Sequence, residues 1–208
     1  MALAVLLGQV EGGAEWPAWV LRARVVSLPK KALVGGCCEV TDLRPITVLS
    51  HVFRVWGRAR GRHLRGWLSG LVLPGTGGLA GGPGAEGLLW HDALALEESG
   101  AACGGLSFDL AKAFDQVSHG TLWALWCEAD GPRGVGGALL RAYQGVQRFY
   151  QAPGTRVVHA GQPSTKRGIP QGCCLAPLCM VLLVSSWRRR LAAVPRYGRA
   201  VATSRAMV

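Results

Sequence analysis

Along the chain the spacing of apolar and polar positions changes several times, and each change predicts an element. "RARVVSLPKK" (22–31) alternates and stops at Pro29, which predicts a short strand ending in a basic turn. "CCEVTDLRPITVLS" (37–50) reads as a loop, a break at Arg44–Pro45, and an apolar β-branched run. "SHVFRVWGRARGRHLRGWL" (50–68) reads as a helix with Ser50 as its N-cap. Its apolar set is Val52, Val55, Trp56, Leu64, Trp67 and Leu68, and Gly57 and Gly61 weaken it by about 1 kcal/mol each. After the Gly-rich loop "LPGTGGLAGGPGAEG" (73–87), "LLWHDALALEES" (88–99) predicts another helix. "GLSFDLAKAF" (105–114) reads as a strand leading into a helical turn, followed by helices over 118–128 and 134–147. "TRVVHA" (155–160) fits a hairpin strand, and residues 168–194 run from a Gly/Pro loop into a long apolar helix. The expected class is α+β, with a small antiparallel sheet that carries Asp109 near its middle and helices packed on one side.

Composition allows a core of useful size. The 208 residues are 50% hydrophobic with a mean hydropathy of +0.24, which argues against disorder, although 30 Gly and 11 Pro imply many turns. The apolar opening "MALAVLLGQV" lacks a basic leader, and "LCMVLLV" (178–184) is too short to span a bilayer. The reading is therefore an intracellular protein, not secreted and without a membrane partner. Seven Cys include two adjacent pairs and no C-x-x-C, so buried reduced thiols are expected rather than a zinc site. No Gly-Lys-Ser/Thr follows the Gly-rich loop, so it is not a P-loop.

Charge changes the picture more. Residues 1–130 carry 11 Lys and Arg against 12 Asp and Glu, net −1, whereas residues 131–208 carry 12 basic residues and no acid, net +12. Such asymmetry suits a polyanion, nucleic acid above all, because contact with phosphates releases counterions. An Arg-, Ala- and Gly-rich composition from GC-rich coding sequence yields the same profile. Arg54, Arg58 and Arg62 recur at i, i+4 and i+8 with Arg65 beside them, a stripe that either faces solvent or lies along a phosphate backbone.

Three stretches in order, "LPKK" with "LRPITVLS", "FDLAKAFDQVSH" and "RGIPQGCCLAPL", resemble reverse transcriptases, most closely the LINE-type and group II intron branch. The resemblance covers roughly residues 20–190. It implies an RNA-directed DNA polymerase, a nucleotidyltransferase working on an RNA template, a DNA primer and deoxynucleotides with Mg²⁺ or Mn²⁺. Phosphoryl transfer of this kind uses two divalent ions about 3.5–4 Å apart, which stabilise the attacking and leaving oxygens. By resemblance Asp109 is the catalytic metal ligand, with the carbonyl of Leu110 as a second. Asp115 is read as capping or pinning the following turn. Phe114 would pack under the incoming sugar and exclude a 2′-hydroxyl, whereas composition alone makes it a core phenylalanine. Lys30 and Arg44 match residues that grip the triphosphate, Arg through its planar fork of donors. Gln171 resembles the residue near the nascent base pair, and Gly168 and Gly172 would let the backbone approach nucleic acid.

The division implied is a lead-in over 1–21, a fingers-like region over 22–100, a partial palm over 101–195 and a divergent tail over 196–208, with no thumb. One departure bears directly on activity. The second acidic station of the family, Tyr/Phe-x-Asp-Asp, should fall where "RYGRAVATSRAMV" (196–208) stands, and no acid follows Asp130. A single carboxylate cannot organise two metals. The expectation is a decayed or truncated polymerase domain that synthesises no DNA alone. The alternative is a basic module that binds nucleic acid without catalysis.

Overall fold

The computed structural model describes residues 2–30, 39, 42–72, 76, 84–99, 110–151, 158–161 and 166–194. In chain order the elements are α1 (Ala2–Glu11), β1 (Arg22–Pro29), β2 (Leu43–Val48), α2 (His51–Ser69), α3 (Ala85–Ser99) and α4 (Ala113–Gln116). They are followed by α5 (His119–Glu128), α6 (Arg133–Gly145), β3 (Gln147–Gln151), β4 (Val158–Gly161) and α7 (Ala176–Ala192). The class is α+β. The chain divides into two compact units, one of residues 1–62 and 112–176, the other of residues 63–111 and 177–208.

The first unit holds a four-stranded sheet in the order β2-β1-β3-β4. It is mixed rather than antiparallel. β1 pairs antiparallel with β2 but parallel with β3, and β3 pairs antiparallel with β4. The parallel pair sets Arg22 opposite Gln147, and a parallel pair needs a long crossover, supplied here by everything from β2 to α6. Residue 147, expected to end a helix, instead starts β3: its N–H donates to the Leu21 carbonyl at 2.9 Å. Pro45 does not break the chain as expected. It sits within β2 opposite Ser27, and β2 is an edge strand, where a residue without an N–H costs no ladder bond.

β1 alternates as its sequence requires, with Ala23 and Val25 buried and Arg22 and Arg24 exposed. The same unit holds a buried aromatic cluster: Trp16, Phe53 and Trp56 with ring centroids 5.2–5.5 Å apart. Both indoles are satisfied, Trp16 Nε1 donating to the Ala138 carbonyl and Trp56 Nε1 to Glu11 Oε1, each at 2.7 Å. Glu11 also pairs with Arg60 through two bonds of 2.6 and 2.7 Å. That fork ties the end of α1 to α2 with charge-assisted geometry.

α2 begins as predicted. Ser50 Oγ accepts from the Phe53 N–H at 3.3 Å. Its buried stripe in this unit is Phe53, Trp56, Gly57 and Gly61; of the expected set Trp56, Leu64 and Leu68 are buried, Val52 and Trp67 half-buried and Val55 exposed. Gly57 is there because a Cβ would stand 2.6 Å from Cys174 Sγ, and one at Gly61 would stand 3.4 Å from Leu175 Cδ2. The glycines that weaken the helix locally are what let a loop pack on it.

In the second unit Leu64 and Leu68 are buried, and so are Leu178, Cys179, Val181 and Leu182 of α7. Arg188 donates to Thr76 Oγ1, and Arg189 to the Leu71 carbonyl, both at 2.6 Å. The arginines near the end of α7 thus include two that bind protein acceptors. Among the described residues, no helix is long and apolar enough to cross a membrane.

Candidate nucleotide and nucleic-acid site

The stretches that carry the sequence signal meet around residues 166–173 of the first unit. After Leu110 the chain turns sharply: Lys112 takes a left-handed conformation at φ 50 and ψ 43, a strained state for a residue with a Cβ. It stands at the N-cap of α4 without a side-chain cap bond, while Ser118 caps α5 by accepting from the Thr121 N–H. Neither cap is Asp115, which lies exposed in the first turn of α4. The α4–α5 segment then holds the GIPQG loop from one side. Ile169 N–H donates to the Phe114 carbonyl and Gly168 N–H to the Val117 carbonyl, each at 2.8 Å, and His119 N–H donates to the Lys166 carbonyl at 3.0 Å.

His119 adds a side-chain bond that the sequence reading missed. Its Nε2 lies 2.8 Å from the Gly168 carbonyl, at 2% exposure. A carbonyl only accepts, so Nε2 carries the proton. The signal was present in "FDQVSH", but a histidine at the start of a helix gives no sign of the carbonyl 49 residues on that it will meet.

From the other side the loop is held by β2. Thr47 N–H donates to the Gln171 carbonyl at 2.6 Å, and Thr47 is itself 4% exposed. Gly168 and Gly172 both adopt positive φ, 97 and 107. A Cβ on Gly172 would stand 2.6 Å from the Thr47 oxygen. The protein's own packing thus requires glycine at 172, independently of any approach to nucleic acid. "PITV", "AFDQVSH" and "GIPQG" are therefore joined backbone to backbone.

Lys30 and Arg44 stand at one end of the β1–β2 ladder. Leu43 is paired with Pro29 and Arg44 with Leu28, and Lys30 N–H donates to the Asp42 carbonyl at 2.7 Å. Both side chains lie on exposed residues, so the two cations expected to act together share one sheet end. Phe114 and Gln171 are half-buried, and Leu110 is exposed. Arg58, Arg62 and Arg65 are exposed along α2, whereas Arg54 is half-buried. Asp109, the proposed metal ligand, and the tail 196–208 lie outside the described residues. Among the described residues, no three His, Cys, Asp or Glu side chains gather where they could hold a metal ion.

A scan against protein-family models matches none, and a search of curated proteins returns no similar sequence.

Proposed function

We propose that this chain carries the fingers and part of the palm of a reverse-transcriptase-type polymerase, and that it binds a template–primer duplex without extending it alone. The supporting observation is the convergence of its three motif stretches, bonded through Thr47 to Gln171, Ile169 to Phe114 and Gly168 to Val117. These pairs lie 124, 55 and 51 positions apart in the chain, so no local preference brings them together. Lys30 and Arg44 would take phosphate, the first as a mobile point charge and the second as a planar fork. The carboxylate half of the chemistry rests on Asp109. No acid stands where the family's second acidic pair would fall, so the reading assigned here is binding rather than synthesis.

The non-catalytic reading is favoured by one further observation. The outward face of the sheet presents exposed Arg22, Arg24 and Arg44, with Phe149 beside Arg24 in the register. An aromatic ring among arginines is a stacking and phosphate surface for a single strand.

Fluorescence anisotropy with a labelled RNA-template, DNA-primer duplex tests both readings. Salt-sensitive binding is expected, with the slope of log K against log salt falling by about 1 in each of Arg44→Gln and Lys30→Gln. Equal affinity for heparin and for the duplex supports the plain basic module. Absence of binding at low salt refutes both. Primer extension with Mg²⁺ or Mn²⁺ should give no template-dependent product, and a robust product would overturn the assignment of binding alone.

A further inference from the structure

We propose that Cys174 is a reactive thiol that forms a mixed disulfide with a small anionic disulfide of the glutathione class, oriented by buried Cys173 beside the arginines of α2. The proposal does not depend on the polymerase reading. Cys173 and Cys174 are adjacent but differently placed: Cys173 is buried, at 4% exposure, and Cys174 is exposed. Cys173 Sγ accepts from Tyr143 Oη at 3.3 Å and from the Leu175 N–H at 3.4 Å, so its position is set from α6 and from its own turn. Its own thiol is then free to serve as donor to Cys174. Cys174 Sγ in turn lies over Gly57, where a Cβ would stand 2.6 Å away. Only a glycine there lets the sulfur settle on this turn of α2, whose neighbouring residues include Arg54 and Arg58. Arg54 Nε is buried and has no hydrogen-bond partner among the described residues. Arg54 is half-buried and Arg58 exposed on this helix, so Arg58 is the cation an incoming anion would meet first.

The groups around the sulfur all act on its ionisation. The hydrogen bond from Cys173 is the largest influence holding the Cys174 thiol down, at about 7; partial burial opposes it, and a backbone bond, Arg58 and Arg54 reinforce it. Cys173 moves the other way, well above the usual thiol range, through the same hydrogen bond and then its burial. The result is a division of roles, with a thiolate outside and a thiol inside. The thiolate attacks one sulfur of the small disulfide, a new S–S bond forms as the old one breaks, and the departing thiolate takes a proton from water. The small disulfide is the only oxidant required. The carboxylates of a glutathionyl group would then lie within reach of Arg58 and Arg54.

The test uses the full reduced chain and site-resolved peptide mass spectrometry. Iodoacetamide should alkylate Cys174 before Cys173, with a midpoint near pH 7. At pH 6 its rate should be about sixfold that of an ordinary thiol, roughly thirtyfold more thiolate offset about fivefold by lower nucleophilicity. Relative to a free cysteine derivative, Cys174 should prefer glutathione disulfide over the dicationic cystamine, and added salt should erase the preference. Arg58→Gln should raise the midpoint and reduce the preference, and Arg58→Lys should restore both. Reaction at Cys173 first, a wild-type midpoint at or above about 8.5, or a preference equal to that of the free thiol would each overturn the proposal. The wild-type measurements decide the matter even if a variant fails to fold.

Discussion

Replacing Gly172 with alanine should unseat the GIPQG loop from β2, and the cost can be divided by comparison with a second glycine. Gly172 and Gly13 both hold positive φ, 107 and 116, in the same unit. An alanine in that region costs about 1–2 kcal/mol at either site. The two sites differ in what the new methyl meets. At Gly13, just past α1, nothing lies within 4 Å; at Gly172 the Thr47 oxygen would be 2.6 Å away and Ile46 Cγ2 3.2 Å away. Relieving that clash parts Thr47 from the Gln171 carbonyl and leaves a donor on a residue 4% exposed without its acceptor. Such an unsatisfied group costs about 1–3 kcal/mol. The expected destabilisation is therefore about 1–2 kcal/mol for Gly13→Ala and about 2–5 kcal/mol for Gly172→Ala. Urea unfolding gives both values. Amide hydrogen exchange at Thr47 identifies the cause, because it should accelerate in Gly172→Ala and not in Gly13→Ala. Equal destabilisation of the two variants, or unchanged exchange at Thr47, would refute the docking of the loop on β2.

His119→Ala should cost about 1–3 kcal/mol in chemical unfolding, since the Gly168 carbonyl loses its donor, and His119→Gln should recover part of that. Two helical glycines should respond to alanine with opposite signs in thermal melts. Gly66, with nothing within 4 Å of its added Cβ, should gain about 1 kcal/mol. Gly136, whose Cβ would stand 2.5 Å from Trp126 Nε1, should instead lose about 1–3 kcal/mol through overpacking.

Local chemistry wrote much of this protein in advance. The alternation of "RARVV" placed Ala23 and Val25 inward and the arginines outward because neighbouring side chains on a strand must face opposite ways. Ser50 started α2 because its hydroxyl can reach the free N–H of Phe53. Leu178, Cys179, Val181 and Leu182 of the apolar run 178–184 were buried because water excludes them. None of these needs a distant partner.

What the pattern could not reveal are relations between remote residues. The parallel pairing of β1 with β3, the Glu11–Arg60 fork and the His119–Gly168 bond each join positions dozens of residues apart, and no period in the chain encodes which partner is met. Gly57 is the clearest instance. Read in isolation it weakens a helix, yet folded it makes room for the Cys174 sulfur. Close packing assigns such roles, because the value of an absent methyl group depends on the atom that takes its place.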